Sequence, residues 1–355
     1  MTNASRRSAT PAQHRNQVAK VALLRNSGDY VERVVLANLN LSRIPEVLFP
    51  LSKGNKVTSV RHINKVIEIL LDTASRNDAT VHSLVGDSLQ LSVNAVSRCA
   101  HADIKACRFM TAADIALKKE ITEVIAKESQ SATPGHAIPV FNTHKALLTG
   151  SLSQGAAWAQ LGGSDRRQAF MLVNFSESEI LKSAFELGVR RGIVVIDRTM
   201  NQNIQHEFVT RGCGVHAFPG ARQALFGNNV MSDLTVGSAN STDGDAPTPP
   251  PPAAPGVPRV DGKTPLAVPL YELVSRKKLN NADEWLYVVG DGKEQNKNLI
   301  TQIANELNDA AMSVCRGNAD AARASLQKIV DLDPDAVNLS AYANLRDLSK
   351  KLVSH

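Results

Sequence analysis

The sequence contains few cysteines, few aromatic residues and no long apolar run. Its four cysteines, spread over 355 residues, never stand in the CxxC spacing that zinc and redox sites use. Neither a zinc site nor a disulfide framework is therefore expected, and the chain is typical of the cytoplasm or another reducing compartment. Because no apolar stretch approaches the length of a bilayer crossing, we expect no membrane span.

Several catalytic motifs are missing as well. The histidines show neither HxH nor HExxH spacing, and the serine-rich segments contain no GxSxG. The segment "GDGKEQNKN" (290–298) lacks the GxxxxGK[ST] pattern of a P-loop. These absences argue against a zinc hydrolase, a serine hydrolase and a P-loop nucleotide-binding protein.

The first acidic residue is Asp29, and the segment before it carries basic side chains at Arg6, Arg7, Arg15, Lys20 and Arg25. We expect a basic, flexible arm over residues 1–29. Its charge suits nucleic acid or an acidic partner. Its Arg and Ser content is also compatible with mitochondrial targeting, or with a solvated tail. The low aromatic content, 4% of the chain, gives no support for stacking on RNA bases.

Hydrophobic periodicity predicts alternating strands and helices between residues 30 and 275. Alternation of period two indicates strands, and apolar residues three and four apart indicate helices. The predicted strands are 33–41, a hairpin over 81–93 around Gly86-Asp87, 138–150, 169–174, 191–197, 209–218 and 265–274. The predicted helices are 58–72, 101–131, 177–187 and 199–207, and "LGGSDRRQ" (161–168) is predicted to be an exposed turn. This order predicts an α/β fold of the α+β type, with one antiparallel-rich sheet and helices mainly on one face.

The last third of the chain has a different character. Residues 237–264 are rich in Pro, Gly, Ser and Asp, which predicts a flexible insertion or linker. Helices are predicted at 298–316, 319–332 and 337–353, and "CRGNADAARASLQKIVDLDPDA" (315–336) resembles a tetratricopeptide helix pair. One such pair is too short for a solenoid, so we expect it to pack on the main domain. The predicted organisation is an arm (1–29), a domain (30–275) containing the insertion, and a helical tail (276–355).

Three features in order give the domain a family resemblance. A Gly-Asp hairpin, "VGDSLQLSV" (85–93), is followed by a long helix that begins at His101-Ala102. The final strand then contains "YEL" (271–273). This ordered set resembles the class III adenylate/guanylate cyclase catalytic domain, across residues 30–275. The resemblance implies a ferredoxin-like sheet with flanking helices.

The resemblance also implies a definite chemistry. In that family two carboxylates hold two divalent ions, Mg²⁺ or Mn²⁺, which activate the ribose 3′-hydroxyl and neutralise the triphosphate. An Asn and an Arg on one helix position the ribose and stabilise the phosphoryl charge. A Lys and an Asp, or their substitutes, select the base. Each site is shared between two chains or two domains.

Carried over onto this sequence, most of these groups are changed. Asp87, at the hairpin tip, matches the second metal carboxylate, whereas Asn38 stands where the resemblance implies the first. Because an amide is neutral, Asn38 is a poor substitute for a carboxylate that bridges two cations. Asp87 is then interpreted as a vestigial ligand, or as a residue that tight turns favour.

The remaining family positions are changed too. Ser83 corresponds to the base-selecting Lys, and Ala169 to its partner. Ser178 and Lys182 correspond to the Asn and the Arg, and their spacing keeps them on one side of a helix. Lys182 retains the positive charge without the planar fork of Arg.

We therefore expect a catalytically inactive cyclase-like protein that serves as a structural or interaction subunit of a larger assembly. No cofactor is expected to be required, although residual binding of Mg²⁺, Mn²⁺ or nucleotide stays open. The expected partners are other protein subunits, among them a second cyclase-homology domain in a homodimer or heterodimer. The alternative is one half of a heterodimeric cyclase whose partner supplies the missing groups. A third interpretation is a basic subunit of a large ribonucleoprotein assembly.

Overall fold

The computed structural model describes residues 29–51, 56–130, 146–164, 167–218, 267–277 and 293–353. Its strands are β1 (Asp29–Asn40), β2 (Ala79–Val85), β3 (Ser88–Val93), β4 (Thr149–Ser164), β5 (Arg167–Val173), β6 (Val194–Ile196), β7 (Phe208–Ala217) and β8 (Ala267–Arg276). Its helices are α1 (Arg43–Leu51), α2 (Lys56–Arg76), α3 (Ala102–Gln130), α4 (Ser178–Arg191), α5 (Arg198–Ile204), α6 (Lys293–Cys315), α7 (Ala319–Leu332) and α8 (Ser340–Val353). The predicted arm before Asp29 and the proline-rich segment 237–264 lie outside the described residues.

The eight strands form one sheet. The strand order is β2-β3-β1-β4-β6-β8-β7, and β5 pairs with the outer half of β4. Only β4 and β6 run parallel among the strand pairs of the described residues; the others are antiparallel. The prediction of a mixed α/β fold with an antiparallel-rich sheet and a helical C-terminal region is confirmed.

The sheet carries a hydrophobic core on each face. Side chains alternate between the two: Val194 and Ile196 of β6 belong to one core, and Ile193 and Val195 to the other. The first core receives side chains from α1, α2, α3 and α5. The second receives them from α4 and from the C-terminal helices α6, α7 and α8. Within residues 30–275, four of the five described helices pack on the first face, as expected for that domain; α4 and the C-terminal helices cover much of the other face.

Two other elements differ from the sequence prediction. Residues 138–145 of the strand predicted at 138–150 lie outside the described residues; β4 covers the end of that prediction from Thr149 and continues to Ser164, into the predicted turn at 161–168. Small residues fill this strand, "TGSLSQGAAWAQLGGS", and they hide the apolar alternation. Helix α1 was not predicted, since its sequence "RIPEVLFPL" contains two prolines.

A buried ion pair joins the strands β7 and β8. Arg211 Nε donates to Glu272 Oε2 over 2.6 Å, and Arg211 Nη2 donates to Oε1 over 3.0 Å. Glu272 is 0% exposed, and it stands between Tyr271 and Leu273, which belong to the first core. Its side chain therefore points to the opposite face, the one that carries the second core. A bidentate pair in this setting leaves little of either charge unsatisfied.

Breaking this ion pair is expected to destabilise the protein. Glu272→Gln leaves the buried guanidinium without a counter-charge, and we expect the free energy of unfolding to fall by about 3–5 kcal/mol. The double variant Arg211→Met/Glu272→Leu removes both charges and should recover most of that loss. The measurement is urea unfolding followed by circular dichroism.

The matched control is the exposed pair Lys328–Glu306, in which Lys328 is 63% exposed. Lys328→Met should change the free energy of unfolding by less than about 1 kcal/mol. An equal loss for Glu272→Gln and Lys328→Met would contradict the assigned role of the buried pair.

Candidate functional site

A row of polar side chains crosses four neighbouring strands. Asn38 of β1 lies opposite Gln90 of β3 and opposite Ser151 of β4 in the sheet register. Ser83 of β2 lies opposite Gln90, and its Oγ donates to Gln90 Oε1 over 3.3 Å. Since Ala37 and Leu39, on either side of Asn38, belong to the first core, this row lies on the other face of the sheet. We call Ser83, Gln90, Asn38 and Ser151 the amide row. All of its groups are neutral.

Asp87 lies at one end of the same strands. It occupies the β2–β3 turn after Gly86, whose φ of 57° is the left-handed value that glycine adopts at low cost. The Asp87 side chain is exposed, and its backbone carbonyl accepts a hydrogen bond from Leu41 N over 2.7 Å. Asn40, two residues beyond Asn38, closes a turn at the end of β1, because its Oδ1 accepts a hydrogen bond from Ser42 N over 3.0 Å. The hairpin tip is thus bound to the end of β1, which brings Asp87 to the same end of the sheet as Asn40.

Helix α4 packs across the sheet beside the amide row. Ser151 Oγ donates to the backbone carbonyl of Leu181 over 2.9 Å. Ser178 and Lys182 are exposed, whereas Leu181 is buried. The structure therefore places Ser178 and Lys182 on the outer side of α4, directed away from the strand to which the helix is bound.

Ala169 has a different location from the other predicted positions. It lies on β5 opposite Gly162, on the outer part of β4. The β4 member of the amide row is Ser151, near the beginning of that strand. The structure brings Asn38 and Ser83 into one row and places Asp87 in the turn at the end of the strands β2 and β3, and it does not bring Ala169 to that row.

Glycines set the distance between α4 and the sheet. A Cβ on Gly188 would collide with the backbone carbonyl oxygen of Gly150. A Cβ on Gly150 would collide with the carbonyl oxygen of Asn38, and Gly150 has a φ of 135°. The position of α4 against Asn38 thus depends on two residues without side chains.

Adding one methyl group at Gly188 should push α4 away from β4. Because the contact is with backbone, no side chain can rotate to make room. We expect Gly188→Ala to lower the free energy of unfolding by about 1–3 kcal/mol, in spite of the better helix propensity of Ala. Val189→Ala, on the 37% exposed neighbour, is the matched control and should stay within about 0.5 kcal/mol. Equal thermal stability of Gly188→Ala and wild type would show that α4 can shift freely.

A buried carboxylate near the row was missed from the sequence. Asp197 follows β6; its Oδ2 accepts from Ser153 Oγ over 2.5 Å and from Gln154 N over 2.7 Å. Its Oδ1 accepts from Met200 N over 2.8 Å and so caps α5. An Asp between an apolar strand and a helix start is a sequence signal for the N-cap of α5, but it gives no sign that the carboxylate is buried.

Burial changes the protonation of Asp197 and of a neighbour. It raises the pKa of Asp197, and the hydrogen bonds from Ser153, Met200 and Gln154 oppose that shift in part. Burial also raises the pKa of Glu177, and the charge of Asp197 adds to that effect. Both carboxyl groups therefore hold a proton more tightly in the folded protein than in the unfolded chain.

Because both pKa values are raised by folding, this part of the protein's stability decreases as the pH rises. A carboxyl group with a raised pKa stabilises the fold fully at a pH below its pKa in the unfolded chain, which is about 4 for Asp. This stabilisation is lost as the pH rises through the pKa of the group in the folded protein. Asp197→Asn removes this titration and the charge that acts on Glu177. The variant loses hydrogen bonds at every pH, but its free energy of unfolding relative to wild type should increase from pH 4 to pH 7.

Urea unfolding at several pH values measures this difference. Asp320→Asn, at a side chain that is 96% exposed, is the matched surface control. A relative stability of Asp197→Asn that falls as the pH rises would contradict the raised pKa.

Two structural findings concern metals and membranes. Among the described residues, no three His, Cys, Asp or Glu side chains are grouped so that they could hold a metal ion. No helix in the described ranges is long and apolar enough to cross a membrane.

No protein-family model and no curated protein matches the chain. Among solved structures, it is similar to the adenylyl cyclase CyaB from P. aeruginosa, with 14% identity, a TM-score of 0.41, and coverage of 72% of this chain and 100% of that chain. It is also similar to the guanylyl cyclase Cya2, with 12% identity, a TM-score of 0.37, and coverage of 72% and 97%. A bacterial light-regulated adenylyl cyclase gives 14% identity, a TM-score of 0.37, and coverage of 78% and 58%. Identities and TM-scores this low do not transfer an activity to this chain. Its activity has to be inferred from its own residues.

Proposed function

We propose that this chain is a cyclase-like protein that does not form cyclic nucleotides and acts as an interaction subunit of a larger assembly. The observation that carries the proposal is the amide row. At the position where the sequence resemblance implies the first metal carboxylate, Asn38 lies between Gln90 and Ser151 and among neutral groups. Asp87 supplies the single negative charge of the two positions.

The lack of negative charge in the amide row supports the proposal that the two-metal reaction does not occur. Two divalent ions beside a triphosphate require carboxylate oxygens, because amide and hydroxyl oxygens carry no charge to offset that of the cations. The nearby buried carboxylate, Asp197, is occupied by hydrogen bonds from Ser153, Gln154 and Met200. It therefore serves the fold, and we assign it no role as a metal ligand.

Exposed aromatic residues support a role in protein contacts. Tyr30 is 55% exposed and Trp158 is 43% exposed, and their ring centroids lie 5.4 Å apart. They are direct neighbours in the register of β1 and β4. Large aromatic side chains with an exposed apolar face are enriched at protein interfaces.

The direct test is cyclic nucleotide formation by the purified full chain, with ATP or GTP and with Mn²⁺ as the metal. We expect background turnover. Loss of a single charge-stabilising contact in a transition state already reduces rates by about 100-fold or more, and several such contacts are changed here. Restoring the carboxylate with Asn38→Asp alone should not restore activity, because Ser178 and Lys182 stand where the resemblance implies Asn and Arg.

Asp87→Ala is the control for a contaminating enzyme. Turnover in the wild type that disappears in Asp87→Ala would contradict the proposal and would assign a metal to Asp87. The native mass of the complex in cell extract tests whether the chain is a subunit of a larger assembly. Co-purification of a chain with complete cyclase carboxylates would favour the complementary half of a heterodimeric cyclase instead.

A further inference from the structure

A regular spacing of prolines distinguishes the segment that joins β7 to β8. Residues 219–266 lie outside the described residues, and their sequence includes "APTPPPPAAPGVPR" (246–259). Within this stretch, proline stands at every third position: Pro249, Pro252, Pro255 and Pro258. A polyproline II helix has three residues per turn, so prolines at this spacing would lie along one edge of it. We call these four residues the proline ridge.

The exposed aromatic pair Tyr30–Trp158 has the chemistry that binds such a helix. Proline-rich segments in the polyproline II conformation dock on surfaces lined by aromatic rings. Because proline has no N–H, a proline run presents carbonyl oxygens as its hydrogen-bonding groups. The Trp158 indole N–H and the Tyr30 hydroxyl are donors for such oxygens. The two ring centroids lie 5.4 Å apart. One turn of the helix is about 9 Å long, so consecutive ridge prolines would reach both rings.

An amide donor lies on the same face of the sheet as the aromatic pair. Gln154 and Trp158 are four residues apart on β4, so their side chains share one face. Gln154 Oε1 accepts a hydrogen bond from Asn203 Nδ2 of α5 over 2.8 Å. Asn203 is exposed, and its amide group has a second N–H that this bond does not use. The face that carries the two rings therefore also offers a polar group to a peptide backbone.

The strand register places the end of the proline-rich segment at the end of the sheet where the pair lies. Leu152 of β4, Ile196 of β6 and Tyr271 of β8 stand at one level. Because β4 and β6 run parallel and β8 runs opposite, residues after Leu152 and residues before Tyr271 extend in the same direction. Trp158 lies six residues along β4 in that direction, and Ala267, which follows the segment, lies four residues along β8. Both are therefore beyond the same end of β6.

The reach of the chain exceeds the distance to the aromatic pair. At about 3.3 Å per residue and 4.8 Å between strands, Ala267 and Trp158 lie roughly 10–20 Å apart. About 14 residues separate Pro252 from Ala267, and a flexible coil of that length spans about 20 Å. The segment also starts there, since Ala217 pairs with Ala267. A ligand tethered in this way acts at a local concentration on the order of millimolar, so a weak contact is enough.

We propose that the proline ridge docks on Tyr30 and Trp158 of the same chain. The ridge prolines pack on the exposed ring faces, and the indole and phenol groups donate to carbonyl oxygens of the segment. The docking goes beyond the proposed role in an assembly, because another protein that uses the aromatic pair has to compete with the segment. It does not depend on whether the chain forms cyclic nucleotides, so failure of either proposal leaves the other testable.

Acrylamide quenching of Trp158 fluorescence in the purified full chain tests the docking. The chain contains two tryptophans, so Trp285→Phe leaves Trp158 as the single fluorophore. The ridge variant changes three prolines of the ridge in this parent chain: Pro252→Ser, Pro255→Ser and Pro258→Ser. We expect its Stern–Volmer quenching constant to be at least about twofold higher than that of the parent, because an exposed apolar ring face of Trp158 is no longer covered.

The matched control changes three prolines outside the ridge: Pro247→Ser, Pro250→Ser and Pro251→Ser. It has the same number of substitutions and keeps the spacing of three, so its quenching constant should stay near that of the parent. Equal constants for the parent and the ridge variant would overturn the proposal, as would an equal rise in both triple variants. A constant that rises on dilution of the parent would assign the contact to a second copy and would also overturn docking within one chain.

Tyr30→Ser tests whether the aromatic pair and the ridge act together. Alone, it should raise the quenching constant of Trp158, because one of the two docking rings is lost. Adding the ridge variant to Tyr30→Ser should then give little further rise, since changes at sites in contact are not independent. Circular dichroism melting checks that each variant is folded. Effects of Tyr30→Ser and the ridge variant that combine independently would contradict a shared contact.

Discussion

The architecture depends on the burial of β6, β8 and β7 on both faces. The whole of β8 from Ala267 to Ser275 is buried, which no single layer of helices could achieve. The C-terminal helices supply the second layer, and α6 comes close enough that a Cβ on Gly212 would collide with the backbone of Leu307. Two-sided burial makes an unpaired charge inside the fold costly. The Arg211–Glu272 ion pair avoids that cost between the two strands.

Most elements could be predicted from the sequence, because their periodicity is strong. The hairpin at Gly86-Asp87, the long helix α3 and the three C-terminal helices all lie close to their predicted places. Strand β4 could not be placed correctly, since Gly, Ser and Ala give almost no apolar alternation. The sequence also holds a signal for strands covered on both faces, in agreement with the expectation that the C-terminal helix pair packs on the domain. The apolar run at 193–196 has no alternation at all, and such runs indicate strands that are covered on both faces.

The candidate site could be predicted only in part, because its geometry depends on strand register. The sequence identified Asn38, Ser83 and Asp87 as members of one site. It gave no means to find Gln90 and Ser151, which lie beside Asn38 only because β1 pairs with β3 and β4 in one particular alignment. Long-range register of this kind is fixed by the packing of whole strands. Asp197 was missed for another reason, since the cap signal before α5 predicts a helix start and not a buried carboxylate.

The two halves of the sheet differ in the charge of their polar side chains. The buried carboxylates of Glu272 and Asp197 are engaged, Glu272 by Arg211 and Asp197 by three hydrogen bonds, and the half-buried Glu207 is engaged by Arg108 and Arg276. In the amide row, in contrast, all groups are neutral: Ser151 is buried against α4, Gln90 is exposed, and Asn38 and Ser83 are partly exposed. A neutral polar surface can hydrogen-bond a partner at little desolvation cost, whereas it cannot hold two cations beside a polyphosphate. This arrangement of charge is the basis of the proposal that the face serves recognition and not phosphoryl chemistry.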